Sequence, residues 1–292
     1  MNEFNPKHRA DQYQEIRTEF FRSNDDKKDE CMDLIEKSTF NLEISPDQMW
    51  SRIWDKPLFA NTKVEQARKN IELLKNTPLE IDFRKISSDA WKIRWNRNSN
   101  FKWNQNGAYE LLGDEIKSFF DKTHPEFSSF NSSKRKIAKW RIYRIVAAGS
   151  RLLKLASTTN KPMKKIIENA GAKTPSYEKL HGIFNDLFGL GTITTDHVLT
   201  DLGLSIKPDI WLTRAAANWG WFEPILPKRS SKEAVMKFFN NRKNVYILIE
   251  KVKSILPYIA PLDGCEKPTL REVEYVMMQS QKAGIKWENL ES

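Results

Sequence analysis

The chain has 292 residues, 39% of them hydrophobic and 29% charged, with a formal net charge of +10 at pH 7. That length can bury an ample core in one large domain or two, and a mean hydropathy of −0.63 leads us to expect a soluble protein. No apolar run approaches a membrane span, and the start, Met1 to Lys7, has no signal-peptide core, so a cytoplasmic or nucleoid-associated location is expected and membrane-spanning and secreted classes are set aside.

In chain order, helical punctuation dominates, and the expected class is all-α. Short amphipathic helices are expected near 9–23, 25–37, 46–54 and 63–76, and the piece Leu79 to Arg84 reads as an isolated extended segment. A Trp- and Asn-rich stretch covers Trp91 to Asn106, and a helix follows over about 108–122. His124-Pro125 and the Ser/Asn-rich run 128–133 make the clearest loop, so the expected division is 1–126, a mainly helical region, and 127–292, a second helical domain. Ser132 or Ser133 can cap a long helix reaching about Ala156, with an apolar stripe of Ala138, Ile142, Ile145, Val146, Leu152 and Leu153. Further helices are expected near 159–170, 176–188, 192–202, 208–219, 231–255 and 268–283.

The charge is unevenly placed. From Phe127 to Ile167 there are 11 Lys or Arg residues and no Asp or Glu, which leaves 37 basic against 38 acidic residues elsewhere. Lys134, Arg141, Arg144 and Arg151 share one face of the long helix. Such a face is either solvated or an electrostatic footprint for a polyanion, and the missing acids favour nucleic acid. The two cysteines, Cys31 and Cys265, form no ligand cluster, and His8, His124, His181 and His197 have no metal-site spacing. No metal is expected from them.

Residues 187–214 carry the most information. A helix with apolar Tyr177, Leu180, Ile183, Phe184 and Leu187 runs into Gly189 and Gly191. A second helix starts at Thr192, turns Val198, Leu199 and Leu202 inward, and stops at Gly203; Asp209 opens a third. A Gly-x-Gly hairpin between two helices exposes backbone N–H groups at a helix N-terminus, a ready anion site. Glycines there take positive φ and admit a phosphate closely.

This stretch resembles the helix-hairpin-helix superfamily of DNA glycosylases, the group that includes endonuclease III. Leu187, Gly189, Leu190, Gly191 and Thr194 keep the family's hairpin pattern, with Phe188 in place of its proline. Pro208, Asp209, Trp211 and Arg214 fall where the family has an aspartate-led helix start, with Trp211 in place of histidine. The recognisable part covers about 30 residues of 292, and weaker helical similarity extends over roughly 130–255.

The resemblance implies a helical bundle that binds double-stranded DNA, flips a damaged or modified base and hydrolyses its N-glycosidic bond. By that resemblance Asp209 is the catalytic carboxylate. Gly189, Gly191, Thr192 and Thr194, with Arg141, Arg144 and Arg151, bind DNA, and Trp211 lines the base pocket. Positive charge builds on the sugar as the base leaves, and an ionised carboxylate beside it stabilises that state. Pro208 and Asp209 are expected at the first and second helical positions, where Asp also serves as an ordinary cap. The bifunctional relatives' lysine is replaced by Ile193, so base release without strand cleavage is expected; Lys207 is the nearest rival amine. No cofactor is required and too few cysteines exist for the relatives' iron–sulfur cluster, but the resemblance allows a monovalent cation on the carbonyls of 187–192. A monomer is expected. The other readings are a non-catalytic helix-hairpin-helix DNA-binding protein and an all-helical protein that binds RNA or protein.

Overall fold

A computed structural model describes residues 4–285 apart from 39, 60–61, 76, 78–79, 81, 87, 91–113, 116, 119–138, 172–174 and 189. All regular elements among the described residues are helical, as the all-α reading requires. Local chemistry accounts for most helix starts. In α1 (Pro6–Ser23) the Asn5 side chain accepts from the Lys7 and His8 N–H groups, and proline occupies the first turn. The next helix is α2 (Asp26–Lys37). Ser45 and Gln48 form a reciprocal capping box at α3 (Pro46–Ile53). Short α4 (Lys56–Phe59) and α5 (Val64–Leu74) follow. Beyond them come α6 (Lys139–Ala156), α7 (Pro162–Asn169), α8 (Tyr177–Phe188), α9 (Thr192–Asp201) and α10 (Ile210–Asn218). The last are α11 (Lys232–Phe239), α12 (Arg242–Ile255) and α13 (Leu270–Ala283), the last capped by Thr269.

Three elements differ from the sequence reading. The single helix expected over 231–255 is broken at Asn240–Asn241, because the Asn241 side chain accepts from the Lys243 N–H and starts a new helix. Phe83–Lys85 is a 3-10 turn capped by Asp82, where an extended segment was expected. The short α4 had no counterpart. The boundary expected at 126/127, the helix start at Ser132 or Ser133 and the Trp-rich stretch lie outside the described residues.

The chain forms two compact units, each discontinuous in sequence. The first comprises Met1–Phe40, Ser176–Glu178 and Leu199–Ser292. Its centre is α13, which buries Val273, Tyr275, Val276 and Met277 and packs most extensively against α10, with α1 and α2 on other sides. A buried ion pair, Arg17 with Glu272 at 2.7 Å, and a hydrogen bond from the Tyr13 hydroxyl to Glu272 at 2.9 Å join α1 to α13. Trp219 and Trp221 are buried and meet edge to face at 6.0 Å, so they serve the core.

The second unit comprises Asn41–Pro175 and Lys179–Val198. Here α6 is the central helix, packed against α3, α4, α7 and the 3-10 turn. Ile142, Ile145, Val146 and Leu152 are buried as the stripe predicts; Tyr143, Ala147, Ala148 and Ser150 are buried too. A Cβ at Gly149 would lie 3.1 Å from the Trp50 ring and collide with Ile86, so this glycine lets α3 approach α6.

Candidate nucleic-acid interface

In the second unit, α8 ends at Phe188 and α9 begins at Thr192, so the two expected helices flank a short connection. Leu190 is fully buried and plugs the turn. Gly191 has φ +78°, the left-handed region in which a side chain is strained. The first turn of α9 is closed by Thr195, whose N–H and hydroxyl both donate to the Gly191 carbonyl at 2.9 Å. His181 on α8 donates from Nε2 to the Thr192 carbonyl at 3.1 Å and lies 3.5 Å from Asp196 Oδ1. Both side chains are buried, and they tie the two hairpin helices together. Asp196 is therefore part of the brace.

Three arginines of the basic stripe of α6 bond within the protein. Arg144 Nη1 donates to the Leu190 carbonyl at 3.0 Å, and Arg151 Nη1 donates to the Phe188 carbonyl at 3.2 Å. Arg141 donates to the Thr62 hydroxyl. All three are half-buried rather than spread on a solvated face. Burial pulls the Arg144 pKa down to about 10 and lowers that of Arg141. The spacing of seven that suggested a phosphate-facing row instead sets two guanidinium groups against the hairpin carbonyls. Arg144 also covers Gly191: a Cβ there would lie 3.4 Å from Nη1 and 3.6 Å from Nη2. The carbonyls of 188 and 190, two of those expected to hold a monovalent cation, thus already accept from guanidinium groups.

Of the hairpin hydroxyls, Thr192 is exposed, whereas Thr194 is 2% exposed and turned inside. Thr194 is thereby removed from the expected contact set, because the inward face of α9 carries it together with Val198. Gly189 lies outside the described residues. The surface left for an anion is Gly191, Thr192 and the α9 N-terminus.

In the first unit, Asp209 is the N-cap of α10, one place before the helix rather than at its second position. Its Oδ1 accepts from the Trp211 and Leu212 N–H groups, each at 2.9 Å, while no donor among the described residues takes Oδ2. The Asp209 N–H donates to the Lys207 carbonyl at 2.8 Å, a three-residue turn around Pro208, and the Thr213 hydroxyl donates to the Asp209 carbonyl at 2.9 Å. Asp209 is half-buried. Trp211 is half-buried as well, and Arg214 stacks over its ring at 5.6 Å.

The sequence reading missed Glu274 on α13. This carboxylate is 4% exposed and paired with Arg271 at 2.7 Å. Burial pushes its pKa up, and the charge of Asp209 adds to that; the pairing with Arg271 opposes it. The available signal was a glutamate inside the apolar run Val273–Met277. Among the described residues no group of three or more His, Cys, Asp or Glu side chains could hold a metal ion, and no helix is long and apolar enough to cross a membrane. No protein-family profile, curated protein or solved structure matches the chain.

Proposed function

We propose that this protein is a DNA glycosylase that releases a damaged or modified base from double-stranded DNA and leaves the strand intact. The observation that carries the reading is Asp209: a cap bonded through one oxygen alone, its other oxygen free of donors among the described residues, at the positive end of α10. A carboxylate held beside the sugar stabilises its oxocarbenium-like state. The hairpin supplies the backbone-binding part, with the Gly191 and Thr192 N–H groups directed at phosphate. Trp211 offers an apolar ring for a flipped base. Ile193 provides no amine, so no imine with the sugar forms. No step is assigned to a cation, because Arg144 and Arg151 already bond to the hairpin carbonyls.

The cap bonds also favour a second reading, a DNA-binding protein without chemistry, since capping alone accounts for an Asp at this place. Base release separates the two. Duplexes carrying alkylated, oxidised, mismatched or bulky modified bases are incubated with wild type and Asp209→Asn, then treated with hot alkali to cut at abasic sites. The glycosylase reading expects alkali-dependent cuts with wild type only and no adduct trapped by borohydride. DNA binding with no base released from any duplex favours the clamp, and a trapped adduct that disappears in Lys207→Ala would assign an amine mechanism.

A further inference from the structure

Away from Asp209, the first unit brings two sulfur atoms together. Met32 lies on α2 and Cys265 in the turn before α13, 233 residues further along the chain. The Cys265 thiol donates to the Met32 thioether sulfur at 3.6 Å, and both side chains are half-buried rather than sealed in the core. The Cys265 N–H closes the turn on the Leu262 carbonyl at 2.9 Å, and Lys28 of α2 pairs with Asp263 at 2.8 Å, so the two elements are held side by side. A Cβ at Gly264 would lie 3.4 Å from Met32 Cε, which places the backbone of the turn directly on the methionine.

Met32 and Cys265 line a cavity of about 420 Å³. Asp33, Glu36 and Glu266 line it too, against one amine, Lys267, so its walls favour a cation. Thiolate and thioether are soft donors that select copper(I) over hard cations, and two of them suffice for it, whereas zinc takes four ligands. The flexible methionine side chain lets the pair open around an ion. We propose that Cys265 and Met32 form a binding site for a soft monovalent cation of the copper(I) class, drawn in by the surrounding carboxylates. On binding, the S–H bond of Cys265 breaks, its electron pair goes to the metal and its proton to solvent, while Met32 donates a sulfur lone pair. Nothing is oxidised or reduced. Burial, with the charge of Glu272 adding to it, raises the Cys265 thiol, so the sulfur pair stays uncharged at neutral pH until a soft ion displaces the proton. The site is independent of the glycosylase reading.

The probes are silver(I), titrated calorimetrically in chloride-free buffer, and copper(I), delivered from a chromophoric chelator in the absence of air. Wild type should take up one ion of either per chain, and Cys265→Ser should abolish that uptake. Cys31→Ser should leave it intact, because Cys31 is sealed in the core. Met32→Leu keeps the thiol and nearly the same volume, so it isolates the thioether. Affinity should then fall by about tenfold or more, a loss that even the outer partners of metal ligands cause when removed. X-ray absorption at the copper edge should count two sulfur neighbours in wild type and one in Met32→Leu.

A Met32→Leu variant with wild-type affinity would leave the ion on a thiol alone and overturn the proposal. A single sulfur neighbour in wild type, uptake that survives Cys265→Ser, or zinc(II) bound as tightly as silver(I) would overturn it as well.

Discussion

Asp209 has two jobs, and two substitutions separate them. Asparagine caps helices about as well as aspartate, whereas alanine at an N-cap costs about 1 kcal/mol. Asp209→Asn should therefore melt close to wild type, and Asp209→Ala should lose about 1 kcal/mol in urea unfolding. Both should lose base release by roughly 10²–10³-fold or more if the charge supplies the chemistry. An Asn variant that releases base at the wild-type rate would leave Asp209 with the cap alone. Arg144 and Arg151 invite a similar separation. A phosphate contact contributes about 0.9 to the slope of log affinity against log salt, whereas a brace on the hairpin carbonyls contributes nothing directly. Since Arg144 and Arg151 bond to the Leu190 and Phe188 carbonyls, replacing either by Ala should weaken duplex binding at every salt concentration and leave the slope unchanged. A slope lower by about one per variant would return these arginines to the phosphate row.

At the scale of elements, the ends of α9 depend on two glycines that differ in what surrounds them. Gly191 and Gly203 have φ of +78° and +69°. A Cβ at Gly191 meets the movable guanidinium of Arg144, but a Cβ at Gly203 would lie 2.6 Å from the Phe40 nitrogen and collide with the Ser38 carbonyl. Backbone cannot yield as a side-chain tip can. Gly191→Ala should cost about 1 kcal/mol from left-handed strain, and Gly203→Ala roughly 2–4 kcal/mol, both read by urea unfolding. Equal losses would mean that the Ser38–Phe40 backbone moves aside easily. These glycines were legible in the sequence because helix periodicity stops at each of them. Helix type was legible for the same reason: apolar residues recur at helical spacing in α6, α8 and α13. The break between α11 and α12 was not, since Val235, Val245 and Leu248 keep the apolar pattern on both sides of the Asn240–Asn241 break. The carbonyl bonds of Arg144 and Arg151 were not legible, because the partners lie 46 and 37 residues further along the chain. No local pattern encodes a contact at that range.

For the whole molecule, burial of two groups in the first unit shapes how stability depends on pH. The Lys251 amine sits 3.7 Å from the centroid of Phe4 and 5.3 Å from that of Phe222. Burial, with the charge of Arg9 adding to it, pulls its pKa from 10.5 down to about 8. Between those values the unfolded chain holds a proton that the native state has released, so raising the pH favours the native state. Cys31 acts in the opposite sense. Burial, with the charge of Glu272 adding to it, pushes its thiol from 9.0 up to about 12, so in that window the native state keeps a proton the unfolded chain loses. Burial raises Tyr13 and Tyr275 as well, which steepens the fall at higher pH. Stability should therefore climb from about pH 7 to about pH 9, level off while the two windows overlap up to about pH 10.5, and then decline. A lysine shift of this size in a fully buried site would be worth about 3 kcal/mol, and the partial exposure of Lys251 reduces the expected rise to about 1 kcal/mol. Lys251→Met should raise stability at neutral pH and flatten the rise, while Cys31→Ala should lower stability overall but delay the decline. Urea unfolding across this pH range reads all three curves; a wild-type curve that falls steadily from pH 7 would show that the Phe4 and Phe222 rings hold the Lys251 charge rather than expel its proton.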